Sequence, residues 1–138
     1  MIVLVVDASV LATALADDGH DGAKARTRLL DEELAAPELI DLEVASVFRR
    51  QVSCAGMDVR RARMALDDLL SLPMLRAPHL PLLGRCWELR ANLSVYDAAY
   101  VALAEALGVS VLTADTRLAR APGLRCTVEL LSTTSGRR

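Results

Sequence analysis

The stretch Val3-Leu4-Val5-Val6 constrains this chain more than any other. Four apolar, mostly β-branched residues are too few for a helix. They show no period-2 alternation, so both faces of the strand they form must be covered, as in a buried parallel strand. The run stops on a carboxylate, Asp7, with helix-compatible residues from Ser9 to Leu15 behind it. In an open α/β sheet, ligands sit just beyond the carboxyl ends of the strands. Asp7 therefore falls where such a fold keeps its chemistry. Read alone, it serves equally well as the cap of the following helix, and its role depends on what arrives beside it.

With 138 residues and 53% apolar content, the chain suits one domain whose sheet is covered by helices on both faces. Residues 1–131 form the expected domain and 132–138 a frayed tail. Met1 to Val6 is too short for a signal h-region or a membrane span, so no membrane association and a cytoplasmic location are expected. Cys54, Cys86 and Cys126 form no CxxC pair, and His20 and His79 lie far from them, which argues against disulfides, zinc and histidine-bound metals. The charge is unevenly spread: ten acids and three bases in residues 1–48, eight acids and thirteen bases in 49–138. Arg49, Arg50, Arg60, Arg61 and Arg63 form the densest basic region, either a solvated helix surface or a phosphate-contacting rim.

Taken in order, the patterning predicts a short helix over 9–16, a polar turn at 17–22 and a helix over 23–34. A short strand at Ala35-Ala36 follows, with Pro37 as the first residue of a helix running over 38–55. Glu43 sits among Leu39, Ile40 and Val47 on that helix, so it needs a partner, either Arg50 two turns along or a metal. Gly56 ends the helix and Asp58 caps the next, to Leu72. A short strand at 74–77 and a helix over 82–93 come next, the latter with Trp87 expected in the core. Ser94 and Asp97 fit a capping box at the head of a helix that Gly108 closes. Strand 109–113 then ends in a second carboxylate, Asp115, itself a natural cap for a helix over 116–121, and 124–131 reads as an edge strand.

Each acid has a structural explanation singly, but four such coincidences in one small α/β domain point to a shared site. Clustered carboxylates repel unless protonated or bridged by a cation. An all-oxygen set selects a hard ion, Mg²⁺ or Mn²⁺, which suits phosphoryl transfer. The residues also resemble a family. Val-Val-Asp7-Ala-Ser-Val, Leu-Glu43-Val-Ala-Ser-Val-Phe-Arg-Arg, Tyr96-Asp97-Ala-Ala-Tyr-Val-Ala-Leu-Ala and Leu-Thr-Ala-Asp115-Thr-Arg-Leu are similar to the four acidic motifs of PIN-domain ribonucleases, and most of all to VapC-type toxins.

That resemblance implies a PIN-like three-layer α/β fold with about five parallel strands and the strand bearing Asp7 at the centre. It implies a metal-dependent endoribonuclease with Asp7, Glu43, Asp97 and Asp115 holding Mg²⁺ or Mn²⁺ and activating water, and with Thr113 and Ser9 in support. It also implies a homodimer, an RNA substrate and a VapB-like antitoxin that blocks the site. Some members carry a further acid after the fourth motif, where this chain has Leu118 and Ala119. Two other folds that place an Asp after the first strand fit less well. A receiver domain wants a lysine near its last strands, but the sole lysine is Lys24. A haloacid-dehalogenase-type phosphatase wants D-x-D, but Ala8-Ser9 follow Asp7. A catalytically silent PIN-like module that only binds its partner is the non-enzymatic alternative.

Overall fold

In the computed structural model, which describes residues 3–133, the Val3–Val6 run forms strand β1 at the centre of a five-stranded sheet. Leu4, Val5 and Val6 point alternately to opposite faces, yet all three are buried. Both faces are therefore covered, as the unbroken apolar run requires. The other strands are β2 (Glu33–Pro37), β3 (Leu75–Ala77), β4 (Val111–Thr113) and β5 (Val128–Leu130). They lie in the order β3-β2-β1-β4-β5, with every pairing parallel. The chain winds from β1 through β2 to β3, then returns to build β4 and β5 on the other side. The order reverses between β1 and β4, and that switch point opens a crevice at their carboxyl ends.

The helices are α1 (Ala8–Ala16), α2 (His20–Leu29), α3 (Ile40–Cys54), α4 (Val59–Ser71), α5 (Leu83–Glu88), α6 (Val95–Leu107) and α7 (Thr116–Arg120). α1 packs against α2, α3 and α4, while α6 packs along β1, β2 and β4. α6 is buried without a break from Ala98 to Ala104, and its alanines let it lie close on the sheet. Ser94 caps it by accepting the Asp97 N–H at 3.1 Å, and Gly108 ends it at φ 69°, a left-handed turn that suits glycine. Among the described residues no helix is long and apolar enough to cross a membrane.

Several boundaries differ from the expectation, each for a tertiary reason. The helix expected over 23–34 is α2, which starts at His20 and ends at Leu29, because Glu33 and Leu34 pair with Val3 and Leu4. Pro37 does not open α3; it is the last residue of β2, opposite Ala77, and the next N–H, that of Glu38, reaches the Ala77 carbonyl at 2.9 Å. A proline there forfeits only a terminal donor. Val109 lies in the turn that closes α6 rather than in β4, and its N–H bonds to the Ala104 carbonyl at 3.0 Å. β5 is short because the Glu105 carboxylate captures the Arg125 N–H at 2.7 Å and draws the chain off the sheet edge.

The helix expected over 82–93 shrinks to a 3-10 turn at Leu80–Leu82 followed by the six residues of α5, and Asn92 turns aside to donate to the Pro122 carbonyl at 3.0 Å. Trp87 is not core: it is 62% exposed, with the Arg90 guanidinium 4.5 Å from its ring centre. Of the expected tail, Ser132 and Thr133 are tied down. Lys24 donates to the Ser132 carbonyl at 2.6 Å and Thr133 is buried. Residues 134–138 lie outside the described residues.

The end of α1 is closed by side chains from two other helices. Arg26 donates to the Ala14 and Asp17 carbonyls at 3.0 and 2.7 Å, and Arg61 to the Ala16 carbonyl at 2.8 Å. These bonds satisfy carbonyls that a helix terminus leaves open and place cations at its negative end. Gly22 makes the approach possible. A Cβ there would lie 1.8 Å from the Asp17 carbonyl oxygen, which explains why the polar turn expected through Gly22 is instead a helix packed tightly on α1. Gly22→Ala is expected to lose about 1–3 kcal/mol in urea unfolding. Gly84→Ala, on α5 with open space around it, should be neutral or gain a few tenths of a kcal/mol.

Candidate active site

Asp7 ends β1 and caps α1 at once. Its Oδ1 accepts the Ser9 hydroxyl at 2.6 Å and the Val10 N–H at 3.2 Å, and its Oδ2 accepts the Thr113 hydroxyl. The same two hydroxyls face onward. Ser9 Oγ accepts the Ala114 N–H at 3.1 Å, and Thr113 Oγ1 accepts the Asp115 N–H at 3.0 Å. Ser9 and Thr113, expected as supporting groups, thus lock the ends of β1 and β4 and the heads of α1 and α7 into one network around a single carboxylate. Asp7 is 7% exposed. Burial pushes its acid up to about 6; the bonds from Ser9, Thr113 and Val10 pull it back, and the charge of Asp97 adds to the rise.

The other acids meet it from three helix heads. Glu43 lies in the first turn of α3 and is half-buried. Burial raises its acid, a bond from Tyr100 opposes the rise, and Asp97 adds to it. That bond runs from the Tyr100 hydroxyl to Glu43 Oε1 at 2.5 Å, so the partner of Glu43 is Tyr100 and not Arg50. Asp97, in the first turn of α6, is raised by burial and then by Asp115, with Ser94 and Arg117 acting against both. Asp115 caps α7 by accepting the Arg117 N–H at 2.8 Å, and the Arg117 guanidinium stands 3.5 Å from its other oxygen. Asp97 is the hub: it is coupled to Asp7, Glu43 and Asp115.

Capping and clustering are therefore not alternatives here. Asp7 and Asp115 are caps, Glu43 and Asp97 lie in first turns, and Asp97 is the acid whose charge bears on Asp7 and Glu43. Among the described residues, no three acidic, histidine or cysteine side chains already stand as a closed metal-ligating group. The donor set is nonetheless of the kind a hard cation takes: carboxylate oxygens that are partly desolvated and mutually repelling.

The arginines expected as a phosphate rim are not gathered at this crevice. Arg61 is engaged at the far end of α1, with the Ala16 carbonyl and with Asp18 at 3.0 Å. The nine residues of α1 put that end roughly 13 Å from Asp7 at 1.5 Å per residue. Arg63 pairs with Asp67 at 3.2 Å. Arg49, Arg50 and Arg60 are exposed and, among the described residues, in no ion pair. The sequence reading missed Tyr100 and Arg117. Tyr100 follows Asp97 by three residues, the spacing that puts two side chains on one helix face, and that was the available signal.

The PIN-domain profile matches residues 4–124. Ribonuclease VapC1 of Mycobacterium tuberculosis is 45% identical over 128 residues, which span 92% of this chain and 96% of that protein. Ribonuclease VapC9 of the same organism is 41% identical over 128 residues, 93% of this chain and 98% of that one. Among solved structures, PAE2754 of Pyrobaculum aerophilum superposes with a TM-score of 0.67 at 25% identity, over 92% of this chain and 83% of that one. VapBC2 of Rickettsia felis, bound to a DNA fragment from its promoter, shares the fold at a TM-score of 0.67 and 13% identity, over 95% and 100% of the two chains.

A raised acid favours the native state only while it is protonated. For Asp7 that advantage is complete below its ordinary value of 3.8 and is lost as pH rises through about 6. With divalent ions chelated, stability should therefore fall on going from about pH 4 to pH 6.5 more steeply in the wild type than in Asp7→Asn. The difference in slope should integrate to on the order of 2–3 kcal/mol in urea titrations. Equal slopes in the two proteins would show that Asp7 ionises in the folded chain as freely as in the unfolded one.

Proposed function

The chain belongs to the PIN-domain family, as a VapC-type ribonuclease toxin of a toxin–antitoxin system, and from that premise we propose that Asp7, Glu43, Asp97 and Asp115 together hold a divalent ion, Mg²⁺ or Mn²⁺, over the β1–β4 switch point. PIN nucleases generally use a divalent metal. The observation that carries the reading is the electrostatic coupling of four carboxylates through Asp97 in one crevice. Such an ion, when bound, supplies an activated water and polarises a phosphoryl oxygen. The chain's own part is to fix the donors. Ser9 and Thr113 hold both oxygens of Asp7, Ser94 holds the backbone of Asp97, and the α7 turn holds Asp115.

The substrate in this reading is RNA, its backbone reached by the exposed Arg49, Arg50 and Arg60, with Arg61 and Arg63 contributing only if their internal pairs open. A cognate VapB-like antitoxin, a homodimer and action in the cytoplasm complete the proposal; they rest on family membership and on the VapBC complex among the structural neighbours. Against the silent, binding-only alternative stand the presence of each of the four acids and the charge of Asp97 bearing on Asp7 and Glu43.

Asp97→Asn should keep its circular dichroism spectrum, lose at least about 100-fold in RNA cleavage, and no longer arrest growth when expressed alone. Chelation should abolish wild-type cleavage and added Mn²⁺ restore it. A folded Asp97→Asn protein that still cleaves and still arrests growth would remove the four-acid site. For the rim, replacing Arg49, Arg50 and Arg60 with Gln should flatten the plot of log K against log salt by about 2 for single-stranded RNA, near 0.7 per lost phosphate contact. An unchanged slope assigns those arginines to solvent or to a protein partner.

A further inference from the structure

Tyr100 is 1% exposed and lies in the uninterrupted buried face of α6, where a phenylalanine would serve packing as well. Its hydroxyl is the one polar atom it brings into that environment, and it is spent on a single partner, Glu43 Oε1 at 2.5 Å on a different helix. A buried hydroxyl needs an acceptor, but a backbone carbonyl would meet that need without tying Tyr100 to an acid of the proposed site. On α6, Tyr100 follows Asp97 by three residues, so one helix face presents both an acid of the crevice and the group that grips another. The charges of Asp7 and Asp97 also bear on the hydroxyl, after that of Glu43.

Resting on the four-acid reading above, we infer that Tyr100 is a positioning residue whose hydroxyl holds one oxygen of Glu43, so that the carboxylate stays beside Asp97 and its second oxygen is left for the divalent ion. Glu43 is held less firmly than Asp7 or Asp115. Asp7 is fixed by three donors and Asp115 by its own capping turn, whereas Glu43 stands on a longer side chain with Tyr100 as its one hydrogen-bond partner among the described residues. Partners that orient a metal-binding carboxylate typically account for 10- to 100-fold in affinity or activity.

The test is calorimetric titration of Mn²⁺ into the full chain without RNA, for wild type, Tyr100→Phe, Glu43→Gln, the double variant and Asp97→Asn, with each fold checked by circular dichroism. Tyr100→Phe keeps the ring and should fold, yet bind Mn²⁺ about 10-fold more weakly. The double variant should bind no worse than Glu43→Gln alone, because the hydroxyl acts through that carboxylate. With RNA, Tyr100→Phe should lower kcat and leave KM nearly unchanged. If Tyr100→Phe shifts only the melting temperature and binds Mn²⁺ like the wild type while Glu43→Gln and Asp97→Asn bind it poorly, the hydroxyl is mere packing and this inference fails alone. If the wild type binds no Mn²⁺, or Asp97→Asn binds as well as wild type, the four-acid reading fails and takes this one with it.

Discussion

The structure depends on how the carboxylate of Asp7 is kept where water hardly reaches it. Burying a charge without partners is among the costliest things a fold can do. Here the cost is partly offset by two hydroxyls and a backbone N–H that belong to the head of α1 and the end of β4. The same hydroxyls take up the N–H groups of Ala114 and Asp115. One acid thus ties the first strand of the chain to a strand more than a hundred residues later. β1 cannot slip against β4 without breaking the bonds from Thr113 to Asp7 and from Ala114 to Ser9.

The remaining acids follow from topology. In a parallel sheet each strand returns through a helix, so the helix heads gather at the carboxyl edge. Asp7 and Asp115 are caps, and Glu43 and Asp97 lie in first turns. A helix head carries partial positive charge and free N–H groups, which favours an anion there. Four anions can therefore be brought together by local rules that each make sense alone. Burial displaces Asp7, Glu43 and Asp97 upward, and their mutual repulsion adds to that rise.

This explains which parts were legible in the sequence. The central strand could be read from an unbroken apolar run, and the cap at Ser94 and the stop at Gly108 from local chemistry; all three hold in the structure. The sequence offered each of the four acids a local place, at a strand end or near a helix head, and the structure puts Asp7 and Asp115 at caps and Glu43 and Asp97 in first turns. What was not legible depended on distant partners. Pro37 ends a strand because Ala77 comes to lie opposite it. Gly22 sits inside a helix because the Asp17 carbonyl presses on it. Trp87 lies outside because α5 is only six residues long and turns its aromatic ring to Arg90 rather than to the sheet. Arg61, expected on a solvated helix surface or a phosphate-contacting rim, closes the end of α1.

The crevice is built to orient its acids more than to neutralise them. Hydroxyls and N–H groups fix direction but carry no full charge, and Arg117, whose charge opposes the rise of Asp97, is an exposed side chain. The repulsion is thus left in place for something to relieve. A divalent ion that binds only the folded chain would do so, adding about 2.7 kcal/mol of stability at a concentration a hundredfold above its dissociation constant. That is comparable in size to what a single strongly raised acid takes away. A site that costs stability while its acids are buried and charged, and regains it when a cation bridges them, would couple the folded state to a divalent ion through the same four side chains proposed for the chemistry.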